Sequence, residues 1–317
     1  MNPILFTTVA FDPWNKFYGN EEKTIYKEPS FLYVDKKNQK YFVTCTNFKN
    51  LSPNGTIRFS QVDADTKLLV YMCTFFSCIA SDQYGAAIYL FNDGSVVQIM
   101  NYITQCQVKG SYYGHHCYVS PSDTASSNNF IKCTSIAQCG QYNQGQNTLN
   151  LEDGAIIIKG VNISKINAIS GAALSINSPD TNPKIRFCNF ADNTNSDGYL
   201  IRTQRNRETY ILKTNIINNN CQGNVVIQEI NGVINVDKCA VINNQKQYNF
   251  QVIDDGSIIV SNSYHDGIYG ASDNGGNLET TMTQQINTSF CLDYKTIDNS
   301  IRETHVIHPR KTILRRR

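Results

Sequence analysis

Two short runs in this chain carry side chains suited to gripping a ligand. Tyr112-Tyr113-Gly114-His115-His116-Cys117-Tyr118 supplies three phenol rings that can stack on flat surfaces and two imidazoles that can bind a metal or carry a proton near neutral pH. Arg202-Thr203-Gln204-Arg205-Asn206-Arg207 supplies guanidinium forks suited to carboxylate, sulfate or phosphate. Neither run is a complete catalytic set. Neighbouring residues of a strand face opposite ways, so His115 and His116 make a poor joint metal site. No Cys-x-x-Cys and no zinc-type Cys/His spacing occurs, so no metal, no cofactor and no catalytic residue is expected. Tyr112, Tyr113, His115, His116, Arg202, Arg205 and Arg207 stand as binding candidates.

Such groups need a frame, and the frame is periodic. Phe48, Phe75, Ile103, Ile136, Ile163, Phe190, Ile216, Val241 and Tyr264 recur at steps of 23 to 33 residues. Five residues before each stand Val43, Val70, Gln98, Ile131, Ile158, Ile185, Ile211, Val236 and Ile259. A period in the mid-twenties means stacked turns of chain rather than one globular core. Each repeat, as in Glu208 to Asn220, holds short β-runs separated by Asn- and Gly-containing corners and shows no helical pattern. Asp93-Gly94, Asp153-Gly154, Asn231-Gly232 and Asp255-Gly256 all precede the ladder strands, so their carboxylates and amides read as turn formers. At about 4.8 Å per coil, nine coils make a rod roughly 40 Å long.

Three residues after the ladder stand Leu51, Cys78, Cys106, Cys139, Ile166, Asn193, Asn219, Asn244 and Gly267. Like residues stack on like, a short cysteine column followed by a short asparagine column. The first is expected to be buried thiol, because in-register neighbours offer poor disulfide geometry. The second is expected to be a hydrogen-bonded amide ladder.

The runs Cys188-Asn-Phe-Ala-Asp-Asn193, Thr214-Asn-Ile-Ile-Asn-Asn219 and Cys239-Ala-Val-Ile-Asn-Asn244, with Gly-initiated strands such as Gly85-Ala-Ala-Ile-Tyr-Leu90, carry a resemblance. They resemble the right-handed parallel β-helix repeat of the pectin-lyase-like fold. More narrowly, they are similar to the surface β-helix families of parasitic protists. The resemblance spans about residues 41–267 and implies an all-β, single-stranded right-handed parallel β-helix of about nine coils. Residues 1–40, with Trp14, are expected to cap the open end, and 268–317 to form a linker and a basic, disordered tail.

The same resemblance implies a polysaccharide ligand, so acid/base machinery must be tested. Similar hydrolases use Asn-Thr-Asp, Asp-Asp, His-Gly and Arg-x-Lys motifs on consecutive coils. Here Asn193-Thr194-Asn195, Asp254-Asp255 and His265-Asp266-Gly267 are near misses: Asn195 lacks the carboxylate and no Arg-x-Lys follows His265. Inverting hydrolysis needs two carboxylates about 6.5–9.5 Å apart, and a Ca²⁺-dependent lyase needs an acidic cluster beside its basic groups. Lys184, Arg186, Arg202, Arg205, Arg207 and Lys213 suggest a basic corner without that cluster.

The longest ladder step, from Ile103 to Ile136, marks an insertion, and Tyr112–Tyr118 lies in it. Net charge is only +2, so no field recruits nucleic acid. Neither a signal-like start nor an apolar stretch of about 18 residues is found, so no membrane span is expected. The family resemblance instead implies the cell surface or secretion. Of the sequons at Asn54, Asn162 and Asn287, Asn162 sits at a repeated ladder position and reads as structural. The expectation is a non-catalytic interaction or adhesion protein that binds a glycan or protein partner. The alternatives are a polysaccharide lyase or hydrolase, or a truncated member without function.

Overall fold

The computed structural model describes residues 12–266, apart from 122–123, 125, 142, 206–207 and 223–224, and the backbone of 269–272 and 277–282. The chain winds as a parallel β-solenoid of about 8 turns rather than the nine coils expected, because nine ladder positions enclose eight full turns. Three sheets run along it. Sheet 1 holds the longer strands Lys40–Thr44, Lys67–Tyr71, Ser95–Ile99, Asn128–Lys132 and their successors. Sheet 2 holds the three-residue strands Asn47–Lys49, Thr74–Phe76, Tyr102–Thr104, Ser135–Ala137 and onward. Sheet 3 holds Leu32–Val34, Ile57–Phe59, Ile88–Phe91, Cys117–Ser120, Leu149–Glu152, Leu174–Asn177, Tyr199–Gln204, Val225–Ile230 and Tyr248–Ile253. Coil stacks on coil, so each strand bonds the equivalent strand of the next coil and the apolar side chains form one continuous interior column.

The sequence ladder is the inner row of sheet 2. Phe48 pairs with Phe75, Phe75 with Ile103, and so on to Ile216 with Val241. On the last coil the register corrects the sequence reading by one residue. Val241 pairs with His265, and Val236 with Val260. A one-residue slip turns side chains to the other face, so Tyr264 is exposed while His265 is buried and meets the Phe250 ring edge-on at 5.7 Å.

Two corners flank each sheet-2 strand, and both use positive φ. Three residues before the ladder this row reads Cys45, Met72, Met100, Cys133, Gly160, Phe187, Lys213, Lys238 and Asn262. Two residues after it the row reads Asn50, Ser77, Gln105, Gln138, Lys165, Asp192, Asn218 and Asn243. A left-handed residue other than glycine costs about 1–2 kcal/mol. Coil-to-coil bonds offset it: Lys165 N–H donates to Ala191 O and Asp192 N–H to Ile217 O.

The asparagine column reinforces this corner. Asn193 Nδ2 donates to Asn219 Oδ1 at 2.9 Å, and Asn219 Nδ2 to Asn244 Oδ1 at 2.8 Å. The same oxygens accept the backbone N–H groups of Asn193 and Asn219, each at 3.0 Å. Cys78, Cys106 and Cys139 form the buried thiol column, and all ten described cysteines are free. Burial pushes the Cys106 thiol well up, keeping it protonated.

At the N-terminal side, Asp12 caps the helix Pro13–Tyr18 by accepting the Trp14 N–H at 2.9 Å. Trp14 and Tyr18 pack on Phe42, Leu69 and Val97, which point out of sheet 1. The helix thus covers a flank of the solenoid. The first rung is laid by Thr24–Tyr26 and Leu32–Val34, which pair with Tyr41–Val43 and Ile57–Phe59. Within the expected linker and tail, 268–317, Tyr269–Ser272 and Asn277–Met282 instead continue sheets 3 and 1 by pairing with Tyr248–Ile253 and Ser257–His265, and 283–317 lie outside the described residues.

His115 and His116 correct the sequence reading most sharply: both are fully buried. Gly114, at φ 88°, turns the chain before the strand begins, so the pair does not alternate across a sheet. His115 Nδ1 accepts the Val108 N–H at 3.2 Å, and His116 Nε2 lies 2.7 Å from Gln98 Oε1. A Cβ on Gly145 would lie 2.3 Å from the His115 ring, so only glycine leaves room for it.

Burial holds His115 down to about 4 and His116 to about 3. Below about pH 6.5 the unfolded chain takes up protons that the folded interior refuses, so stability falls as pH drops through this window. The slope is about 1.4 kcal/mol per pH unit for each histidine. Urea midpoints at pH 7.0 and 5.0 should differ clearly less in His116→Gln than in the native chain. Equal differences would mean that His116 is solvated.

Candidate functional site

Three binding candidates, Tyr112, Tyr113 and Arg202, lie on or beside the outer face of sheet 3. Strand alternation there sends every second side chain outward. One outer row climbs the solenoid as Tyr33, Arg58, Tyr89, Tyr118, Asn150, Ser175, Arg202, Gln228 and Gln251, each paired in register with the next. The inner neighbours Ile57, Phe59, Ile88, Leu90, Leu149 and Leu151 are fully buried or nearly so. They anchor the row on the rigid core.

Aromatic rings dominate its first half. Tyr84 stacks on Tyr113 with centroids 5.7 Å apart and planes 3° apart, and meets Tyr112 edge-on at 5.2 Å. Tyr118 touches Tyr84, Tyr89 and Phe91 at 4.8, 5.9 and 5.6 Å. The Arg58 guanidinium lies over Tyr89 at 4.1 Å and donates to the Tyr84 carbonyl at 3.3 Å. A cation on a ring face is worth about 0.5–1 kcal/mol at such partly open sites. These rings stay half-buried, neither lost in the core nor free to turn.

The second half is polar and hydrogen-bonded end to end. Tyr118 donates its hydroxyl to Glu152 Oε1 at 3.2 Å, and Asn150 Nδ2 donates to the same oxygen at 3.0 Å. Asn147 Nδ2 donates to Asn150 Oδ1 at 2.8 Å, and the Tyr199 hydroxyl donates to Asn147 Oδ1 at 3.1 Å. Gly171 permits this approach, because a Cβ there would fall 1.7 Å from Asn147 Oδ1. Arg202 closes the chain over Tyr199 at 4.4 Å, and beyond it Gln228 Nε2 donates to Gln251 Oε1 at 2.7 Å. Burial pushes the Glu152 carboxyl up despite the hydrogen bonds that lower it, and the Asp153 charge adds to the rise. Burial, with Glu152 alongside, likewise raises the Tyr118 hydroxyl.

Other candidates fall elsewhere. Arg205 is exposed at a left-handed corner beyond the strand, and Arg207 lies outside the described residues. Lys184 and Arg186 project from sheet 1, so the basic corner of the sequence is split between faces. The insertion also moves. Residues 121–127 separate Cys117–Ser120 from Asn128–Lys132, where the next coil needs only 153–154, so Tyr112–Tyr118 is regular wall.

The hydrolase-like near misses are dispersed as well. Asn193 and Asn195 are buried, Asp254 forms a corner, and Asp266 pairs with Lys246 at 3.0 Å. No group of three His, Cys, Asp or Glu side chains can hold a metal among the described residues, and no helix there is long and apolar enough to cross a membrane. Asn54 is exposed, Asn162 is buried in sheet 2, and Asn287 lies outside the described residues.

Arg58, Tyr84, Tyr89, Asn150, Glu152 and Tyr199 are among the members of the face that sequence reasoning passed over. The signal was faint: Tyr84 and Tyr112 both stand nine residues after a ladder position, Phe75 and Ile103. Comparison with protein-family models, with curated proteins and with solved structures gave no match.

Proposed function

We propose that the protein is a non-catalytic carbohydrate-binding solenoid whose ligand is an extended glycan lying along the outer face of sheet 3. The observation that carries this reading is the continuous row from Arg58 to Arg202. It joins the half-buried Tyr89 and Tyr118 to the half-buried Glu152 carboxyl and Arg202 guanidinium on later coils, through the buried Asn150, Asn147 and Tyr199. Tyrosine faces accept the apolar C–H faces of pyranose rings, while the carboxyl and guanidinium groups satisfy ring hydroxyls. The coil repeat of about 4.8 Å offers a polymer one set of contacts per rung. The groups are already held by one another, so little ordering entropy opposes binding. Right-handed winding of the pectin-lyase-like kind is part of the proposal, supported by the repeat motif and the handedness rule for parallel crossovers. Placement at the cell surface or outside the cell rests on the resemblance of the repeat.

A glycan array probed with the native protein and with Tyr89→Ala/Tyr118→Ala tests the reading. Native binding lost in the variant supports it, whereas an array blank for the native protein sinks it.

Glu152 favours one second reading, a hydrolase, because a carboxyl raised by burial is the form a general acid needs. A partner carboxylate is the missing piece. Asp153 accepts from Ser120 Oγ at 2.7 Å, and Asp180 accepts the Gly154 N–H at 2.6 Å, so both neighbours are committed to the corner. Glu152→Gln is therefore expected to keep glycan affinity within about threefold, roughly 0.7 kcal/mol. The native protein should release no new reducing ends. Product that disappears in Glu152→Gln would establish the hydrolase instead.

A further inference from the structure

Where sheet 1 turns into sheet 2, one residue per coil takes positive φ. On four consecutive coils that residue is Cys45, Met72, Met100 and Cys133. The stack stays in register through the corner. Cys45 N–H donates to Tyr71 O at 3.0 Å, Met72 N–H to Ile99 O at 3.1 Å and Met100 N–H to Lys132 O at 3.0 Å. Each bond reaches the residue just before the next sulfur, so the four residues climb one rung at a time.

Nothing in the fold asks for sulfur here. Later coils fill the same corner with Gly160, Phe187, Lys213, Lys238 and Asn262, so the position accepts side chains of every kind. Elsewhere the solenoid keeps its thiols inside. Of the ten described cysteines, Cys45 and Cys133 are the two that are exposed. Met72 and Met100 are 37% and 53% exposed, although thioethers ordinarily fill cores. What two thiols and two thioethers share is a soft sulfur donor.

We infer that this column is a surface site for a soft monovalent metal ion of the Cu(I) type. Two metal–sulfur bonds of about 2.3 Å each span nearly the rung spacing of about 4.8 Å. The rung spacing therefore suits one ion bridging side chains of successive coils. Thiolate and thioether ligands select Cu(I) over hard cations such as Mg²⁺ and Ca²⁺, which require oxygen. The long methionine side chains adapt to the position of the ion. A cysteine that binds releases its thiol proton to solvent, methionine releases none, and the metal keeps its oxidation state.

The test is a titration of the reduced, metal-free full chain with Cu(I) against a chromophoric Cu(I) chelator. The comparison variant is Cys45→Ser/Met72→Leu/Met100→Leu/Cys133→Ser, with its strand content checked by circular dichroism. The native chain is expected to take Cu(I) from the chelator, and the fourfold variant to bind about 100-fold more weakly. Met72→Leu/Met100→Leu alone, which keeps side-chain volume, should lose about tenfold. It also serves as the test if the fourfold variant does not fold. X-ray absorption of the loaded native chain should show sulfur neighbours alone. Equal uptake by native chain and variants would place the metal on other thiols and overturn the inference, as would no uptake at all.

Discussion

Replacing Asn219 by leucine is expected to lower unfolding stability by about 3–5 kcal/mol, far more than its similar branched shape suggests. Asn219 is the middle member of the amide column. Its Oδ1 accepts both the backbone N–H and the Nδ2 of Asn193, and its Nδ2 serves Phe190 O and Asn244 Oδ1. Leucine would leave several of these groups without a partner inside a dry column, and each buried unsatisfied group costs about 1–3 kcal/mol. The neighbouring coils lose their shared corner bond as well, so the loss falls on an interface between repeats, where solenoid cooperativity resides. Urea unfolding followed by circular dichroism measures the difference. A change under about 1 kcal/mol would mean that water already reaches the column.

The second large effect is on recognition. Tyr89→Ala/Tyr118→Ala should weaken glycan binding by about 100-fold, since each stacking ring is worth about 1–1.5 kcal/mol. Neither residue is part of the interior column, and Ile88, Leu90, Cys117 and Val119 beneath them are untouched, so the sheet should persist. Tyr118→Phe separates the two roles of that side chain. It keeps the ring against Tyr84 and Tyr89 and loses only the bond to Glu152, so its affinity should fall by no more than about fivefold. A Phe variant as weak as the Ala variant would shift the weight from stacking to the Glu152 network.

The parts of this protein that could be read in advance are those that repeat with fixed spacing. The inner row of sheet 2 and the cysteine and asparagine columns lie on one short, rigid arc of each coil, so sequence distance maps onto space. The single slip came at the last coil, where an aromatic Tyr264 beside His265 looked like the better core residue. Hydrophobicity misled there because a histidine packed on Phe250 fills the inner place.

The corners were legible only where glycine or asparagine marked them. Lys165, Asp192, Lys213 and Lys238 adopt the same conformation, and bonds between coils, invisible in the sequence, hold them in it. The outer face of sheet 3 was half legible. Tyr112, Tyr113 and Arg202 stood out by chemistry, but the arc from sheet 2 to sheet 3 changes length from coil to coil, so no period links Tyr84, Tyr89, Glu152 and Arg202. His115 and His116 misled for the complementary reason: reactive residue types were taken for surface groups when Gly114 turns both into the core.

The most direct test of the binding face is a crystal structure of the native protein with an oligosaccharide that scores on the glycan array. The expected result is sugar rings seated over Tyr89 and Tyr118, with hydroxyls bonded to Glu152 or Arg202. Sugar held on sheet 1, sheet 2 or the corners, with the tyrosine row bare, would contradict it.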